Sequence, residues 1–467
     1  MRCTLVCTAA ALALVGCTAG PDHVPPPAPA SRALDAGRFL RAGDGDAAAP
    51  LARWWQGLDD PELARLIEQG LSQAPVLAAA EARMRQARAG LVASKAGQQP
   101  SLGTSLLYAN AKLPENSIGG SNGQIDLFNA GFDAHWELDL WGGKRRDAER
   151  ARADAEAAEA RLANAHVALS AEIARAYVWL RARQAGQRVL GERLALQRQL
   201  ADIAQQRFAA GTAPRQTVET SRAAMARSEA ELALADGEVA AITDGLAVLT
   251  GQVPGALDGL ANGPVPLPPA QVGIGDPAAM LARRPDIRAA ERQLAAASAR
   301  IGIEKARRFP SVSFMGLIGI GGNKAGDVFD TANLSTIVLP RLSWSFLDFG
   351  RGAAAVRGSE AARDAALADY RGQVLAALQD AESALARFGA ARLALARQSG
   401  AAAHAGEIAR LDALRAGAGT LPRAAALQSE AQALDARLAE LSARADLTLA
   451  YVALAKALGL GWERPDG

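Results

Sequence analysis

Aromatic residues are scarce, 4% of 467, although half of the chain is hydrophobic. With Ala and Arg recurring throughout, that balance points to long helices more than to a conventional mixed core. Charge of one sign is lacking too, because 51 Lys and Arg face 49 Asp and Glu for a net +2. Nucleic acid is therefore not an expected partner, since phosphate binding asks for a lopsided basic balance. Cysteine stops at Cys3, Cys7 and Cys17. That excludes a disulfide framework and any Cys-based metal site from the body of the chain. No later run reaches about 18 uncharged apolar residues, so no transmembrane helix is expected. The four histidines, His23, His135, His166 and His404, show no metal-ligand spacing. Gly319–Gly322 lacks the Lys-Ser/Thr of a phosphate loop. The sequence offers no catalytic, cofactor or metal constellation and reads as a non-enzyme.

What is present begins at the N-terminus. Arg2 and the apolar run Leu5–Val15 read as a short signal peptide. The run ends in Leu14-Val15-Gly16-Cys17, which looks like a bacterial lipoprotein box with Cys17 as the acylated first residue. Several acyl chains on one residue suffice for stable anchoring. Thr18 in place of Asp favours the outer over the inner membrane.

The body carries an internal duplication. Ala80-Glu81, Lys95 and Pro100-Ser101 recur 210 residues later as Ala290-Glu291, Lys305 and Pro310-Ser311. Gly142 pairs with Gly350 at an offset of 208, and Gly211 with Gly417 at 206. Each copy reads helix, strand, strand, very long helix, turn, long helix. The first helix is expected over 61–97, capped by Asp59 or Asp60. Residues 144–208 hold no proline and are rich in strong helix formers. About 65 helical residues make a rod of roughly 100 Å, which must run beside other long helices. The organisation that follows is a signal peptide at 1–16, a lipidated tether at 17–53, a first repeat at 54–255, a Pro-rich linker at 256–276, a second repeat at 277–462 and a tail at 463–467.

The strands are short and matched. Phe128, Ala130, Phe132, Ala134, Trp136 and Leu138 alternate with polar or small residues. In the second copy Val338, Leu342, Trp344 and Phe346 share a face opposite Arg341, Ser343 and Ser345. Their partners enter after Pro100 and Pro310, and Gly pairs mark the hairpins. Strands of about 10 residues suit a tilted bilayer crossing. Trp136, Trp141, Trp344, Phe346 and Phe349 are candidates for an interfacial girdle. Four strands cannot close a barrel, because the smallest have about 8 and an open edge is not viable in lipid. Several chains must share one barrel; geometry alone leaves dimer and trimer open.

Six motifs in order resemble the TolC-like outer membrane factor family, in particular its NodT-type efflux lipoproteins. They are Gly20-Pro21-Asp22-His23-Val24-Pro25, Trp54-Trp55 with Asp60-Pro61-Glu62-Leu63, Glu137-Leu138-Asp139-Leu140-Trp141-Gly142, Leu246–Gly251, Arg283–Glu291 and Leu454–Trp462. The resemblance implies a mixed α and β membrane protein. Three chains of four strands would form a 12-stranded barrel in the outer membrane of a Gram-negative bacterium, above a helical periplasmic tunnel. It implies a passive exit duct for drugs and toxic compounds, coupled through a periplasmic adaptor to an inner-membrane pump of the resistance–nodulation–division class. The turns at Gly211, Thr212, Gly417 and Ala418 would then meet the adaptor. Relatives often carry acidic residues six or nine positions after the second-repeat glycine. Counted from Gly417 these are Arg423 and Ala426, so Pro422, Arg423 and Ala426 become the constriction candidates without an acidic ring. Metal-ion efflux and type I protein secretion are the alternatives on the same fold. A lipid-anchored coiled-coil scaffold without a pore is the alternative of another class.

Overall fold

The computed structural model describes residues 18–27, 31–41, 52–113 and 123–462. Cys17 lies outside the described residues. After a short helix α1 (Arg32–Ala36), α2 (Pro61–Gln73) opens on Asp60, whose carboxylate accepts from the Glu62 and Leu63 amides at 3.0 Å each. The single helix expected over 61–97 is two helices. Ala74 is extended because the residue before a proline is pushed out of the α region, and α3 (Pro75–Ala96) starts at Pro75. The second half repeats the device, with Arg284 extended between α6 (Pro277–Arg283) and α7 (Pro285–Ala306).

Four strands follow these helices in pairs. They are β1 (Ser101–Leu113), β2 (Gly123–Leu138), β3 (Ser311–Gly322) and β4 (Leu334–Ser343). They form one antiparallel sheet in the order β1-β2-β3-β4, so β1 and β4 are its edges. The register joins Leu106 to Ala130, Ala130 to Ile320 and Ile320 to Leu334. It also joins Thr104 to Phe132, Phe132 to Ile318 and Ile318 to Thr336. Directly opposed residues share a face. One face is therefore mostly apolar across all four strands, with Thr104, Asn110, Asp126 and Thr336 among its polar members, whereas the other carries Ser105, Asp133, His135, Ser313 and Arg341. Among the described residues no helix is long and apolar enough to cross a membrane.

Two very long helices, α4 (Gly143–Ala209) and α8 (Arg351–Gly417), have 67 residues each. Each turns into a helix of 35 residues, α5 (Arg215–Leu249) and α9 (Arg423–Ala457). The chain divides into two compact units. The first comprises 1–27, 83–159 and 289–371, and holds the sheet with the helix segments that enter and leave it. The second comprises 28–82, 160–288 and 372–467. Its core holds a small aromatic cluster. Trp54 packs edge-on against Trp55 and Tyr451, with centroids at 5.8 and 5.9 Å. The Tyr451 hydroxyl donates to the Trp54 carbonyl at 3.0 Å, and burial pushes its pKa up to about 12. The Tyr177 hydroxyl donates to the Asp60 carboxylate at 2.9 Å, and burial likewise drives its phenol upward. The proline-rich linker turns at 254–259 and then runs without helix or strand up to α6. It is seated by Arg181, which donates to Ala261 O, and by Thr448, whose hydroxyl donates to Pro266 O at 2.6 Å.

Candidate functional site

The two helix-pair turns, both in the second unit, share one construction. At the end of α4 the Thr212 amide donates to Arg207 O at 2.8 Å and its hydroxyl to the same carbonyl at 3.0 Å. Gly211 sits at φ +70° between them, and Pro214 opens α5. At the end of α8 the Thr420 amide and hydroxyl bond Arg415 O at 2.9 and 3.0 Å. Here Gly419 is at φ +74° and Pro422 opens α9. Both are glycine C-caps that bond back to the last carbonyls of the helix. The shared pattern is Arg-x-x-x-Gly-Thr-x-Pro-Arg, at 207–215 and 415–423, an offset of 208.

That geometry shifts the pairing expected from the sequence. Gly417 is the last residue of α8, and Ala418 follows it at the start of the turn. The left-handed glycine equivalent to Gly211 is Gly419. Counting six and nine from Gly419 reaches Ala425 and Gln428. Pro422 and Arg423 are exposed, whereas Ala426 is only 4% exposed. Ala426 shares a face with Ser429, one turn on, which donates to Asp412 of α8 at 2.6 Å. Its methyl is therefore covered by its own chain.

The aromatic candidates gather where the strands end, in the first unit. Trp136 lies on the apolar face of β2 and donates to Gln98 O at 3.2 Å, with Phe314 at 6.5 Å. Trp344 donates to Arg308 O at 3.0 Å and contacts Phe346 at 5.8 Å. Each tryptophan thus ties to a carbonyl two residues before the proline that opens a strand. Trp141 stacks on Phe309 at 4.6 Å and donates to Pro310 O at 2.7 Å. Phe346 and Phe349 are exposed, and Phe349 has φ +50°. The alternation expected through Phe346 stops at Ser343, where β4 ends.

Arg284 is nearly buried in the second unit. Its guanidinium forks onto Asp286 at 3.0 and 2.6 Å and reaches Ala457 O at 2.8 Å. Gln373 donates to the same carboxylate at 2.8 Å. Burial raises the Asp286 pKa, but the hydrogen bonds and charge of Arg284, with Gln373, outweigh it and hold the carboxyl below its usual value. The signature motif thus fastens the end of α9. Thr420, Arg181 and Arg146, the last of which bonds the residues after Cys17, are not singled out by the local pattern. Thr420 was open to recognition through its match with Thr212.

The chain belongs to the outer membrane efflux protein family, whose model matches residues 66–252 and again 277–460. It is 30% identical over 435 residues to the pyoverdine export outer membrane protein OpmQ of Pseudomonas aeruginosa, across 91% of this chain and 90% of that one. It is 27% identical to the outer membrane protein OprJ of the same organism, across 97% and 95% of the two chains. The solved outer-membrane channel OprN superposes with a TM-score of 0.85 at 32% identity, covering 96% of this chain and 100% of that one. The fold is the mixed helix-and-strand fold of outer membrane channels, with four strands in the chain.

Proposed function

We propose that the chain is one of three identical subunits of an outer membrane exit duct in a tripartite efflux system. The duct passively carries small toxic compounds from a periplasmic adaptor and an inner-membrane pump, of the resistance–nodulation–division class, to the exterior. Cys17 carries the acyl anchor, and two repeats, 54–255 and 277–462, each supply two strands and a helical hairpin. The duct performs no catalysis. The adaptor meets the turns at 211–212 and 417–420, and Pro422 and Arg423 stand at the constriction.

The observation that carries this reading is a sheet of four described strands with one mostly apolar face and β1 and β4 as its edges. Unpaired backbone groups along β1 and β4 are not tolerated in hydrocarbon. The strands alternate in direction, so β4 of one chain and β1 of the next run antiparallel. Head-to-tail repetition therefore continues the ladder until it closes. The names of relatives that export pyoverdine point the same way. Cysteines placed singly on β1 and β4 should cross-link subunits into a ladder that stops at three. The reconstituted protein should conduct ions, and its deletion should raise drug susceptibility. A ladder that stops at one, without conductance, would favour the pore-free scaffold. Intact drug resistance with lost metal tolerance or protein secretion would change the cargo. Arg423→Ala should raise cation over anion permeability, through loss of three positive charges in a narrow passage.

A further inference from the structure

The duplication in the sequence extends to strand register. Leu102 opposes Ala134 in the first hairpin, and Val312 opposes Leu342 in the second. Thr104 opposes Phe132, and Phe314 opposes Pro340. β3 therefore repeats β1 at an offset of 210, and β4 repeats β2 at an offset of 208. Those are also the offsets of Pro100 to Pro310 and of Gly142 to Gly350, which flank the strands. Within the chain the two hairpins are joined by the β2–β3 ladder, where Ala134 opposes Gly316 and Phe132 opposes Ile318. Gly316 is the counterpart of Leu106. One hairpin thus carries the pairing four residues along the strand, from Leu102 through Ala134 to the position of Leu106. In a sheet that closes on itself, this stagger is tied to the tilt of the strands.

We propose that β4 of one chain pairs with β1 of the next in the register of the internal β2–β3 ladder, which sets Leu342 against Leu106, Pro340 against Tyr108 and Val338 against Asn110 of the neighbour. This register rests on the reading of the chain as a subunit of a shared barrel and adds the alignment of its seam. With the register copied, every hairpin advances the pairing by the same four residues. All strands then hold one tilt, and no seam has to slip or bulge. The mostly apolar faces of both chains stay on one side, because side chains alternate with a period of two. Leu106 and Leu342, 82% and 68% exposed in the single chain, cover each other. Asn110 already donates to Asp126 of its own chain at 2.7 Å, so it asks for no partner from Val338. A slip of two residues keeps the faces but parts the leucines, placing Leu342 against Thr104 or Tyr108.

Disulfide formation across the seam, in the full-length protein in its own membrane, tests the register. Directly opposed residues of antiparallel strands bring their Cα atoms to about 4.5–5.5 Å, within the span of a disulfide. Residues two places out of register are about 7–8 Å apart, beyond it. Leu106→Cys with Leu342→Cys should therefore oxidise to linked dimers and trimers. The yield should exceed that of Thr104→Cys or Tyr108→Cys with Leu342→Cys by about tenfold. The chain's own cysteines end at Cys17, and each single variant controls for them. Where the leucine pair fails to assemble, Asn110→Cys with Val338→Cys should link in its place. Preferential linking of a shifted pair would overturn the register and leave the shared barrel standing. Absence of links from both matched pairs in an assembled, ion-conducting protein would do the same. Unlinked single chains without conductance would remove the duct reading, and the seam with it.

Discussion

Gly417 and Gly419 stand two residues apart and answer oppositely to the same methyl group. Gly417 closes α8 with helical geometry, and a Cβ there meets nothing within 4 Å. Alanine restricts the unfolded chain and favours the helix, so Gly417→Ala should stabilise by roughly 0.5–1 kcal/mol. Gly419 is left-handed at φ +74°. Alanine there forces Cβ against the following carbonyl, at about 1–2 kcal/mol. The two substitutions differ by about 1.5–3 kcal/mol, of opposite sign. The Thr420 amide, which bonds Arg415 O at 2.9 Å, reads the turn locally. Its exchange should quicken about 5- to 30-fold in Gly419→Ala and slow about 2- to 5-fold in Gly417→Ala. Gly211→Ala, at φ +70°, should follow Gly419→Ala at the Thr212 amide. If Gly417→Ala loosened the turn as much as Gly419→Ala, the assignment of the second cap would be wrong, and with it the 208-residue register between the turns.

The two faces of the sheet make a second contrast. Phe132→Arg places a charge on the apolar face and should cost about 2–4 kcal/mol at mid-bilayer depth. His135→Arg, on the other face, should leave assembly near wild type; equal losses, measured as yield of folded protein in the outer membrane, would refute the face assignment. Arg284→Ala removes the fork on Asp286 and leaves the Ala457 carbonyl without its donor. It should destabilise by about 3–5 kcal/mol, with Arg284→Lys in between; a thermal midpoint that does not move would show that the signature does not fasten α9. Acid should act through the same pair. The Asp286 carboxyl has a folded-state pKa below its ordinary value, as does Glu291, where burial raises the pKa but Arg292 and His23 pull it lower. Their contribution is complete above the unfolded values of about 4 and is lost as pH falls through the lower folded values. Asp286→Asn should flatten the stability profile below about pH 4. An unchanged acid profile in that variant would remove Asp286 from the explanation.

The parts visible in the sequence were those written in local chemistry. Pro100 and Pro310 mark strand entries, and period-two alternation marks β2. Proline-free runs mark the two longest helices, and α4 starts and stops within one residue of the 144–208 run. The break at Ala74–Pro75 was written as plainly, but the strong helix formers on both sides concealed it. The second turn was misregistered because Gly417 and Gly419 are both glycines, and only backbone conformation separates the helical one from the cap. Ala426 is buried within its own chain, a fact of packing that its own small side chain does not signal. The bond between His23 and Glu291 was invisible for a different reason. His23 and Glu291 are 268 residues apart, and no periodicity relates a tether to a helix it meets only after folding.

The same distinction explains what the single chain leaves unfinished. Leu393, Ile408, Leu411 and Leu414 are exposed along α8, and Val338 and Leu342 along β4. Apolar positions in a chain with its own core normally turn inward, and singly scattered exceptions need no cause. Here three of them fall at 408, 411 and 414, a helical spacing that makes a stripe, and the strand pair sits on a free sheet edge. Both features ask for a neighbour of regular shape. In the trimer proposed above, a second copy would supply one for each: a β1 edge beside β4, and another long helix beside α8. In the trimeric reading the backbone donors of the edge and the side chains of the stripe are satisfied by one repeated contact. Charged substitutions at Leu411 and at the β4 edge should then weaken the same assembly step, and, with no shared partners between them, their free-energy costs should add in the double variant.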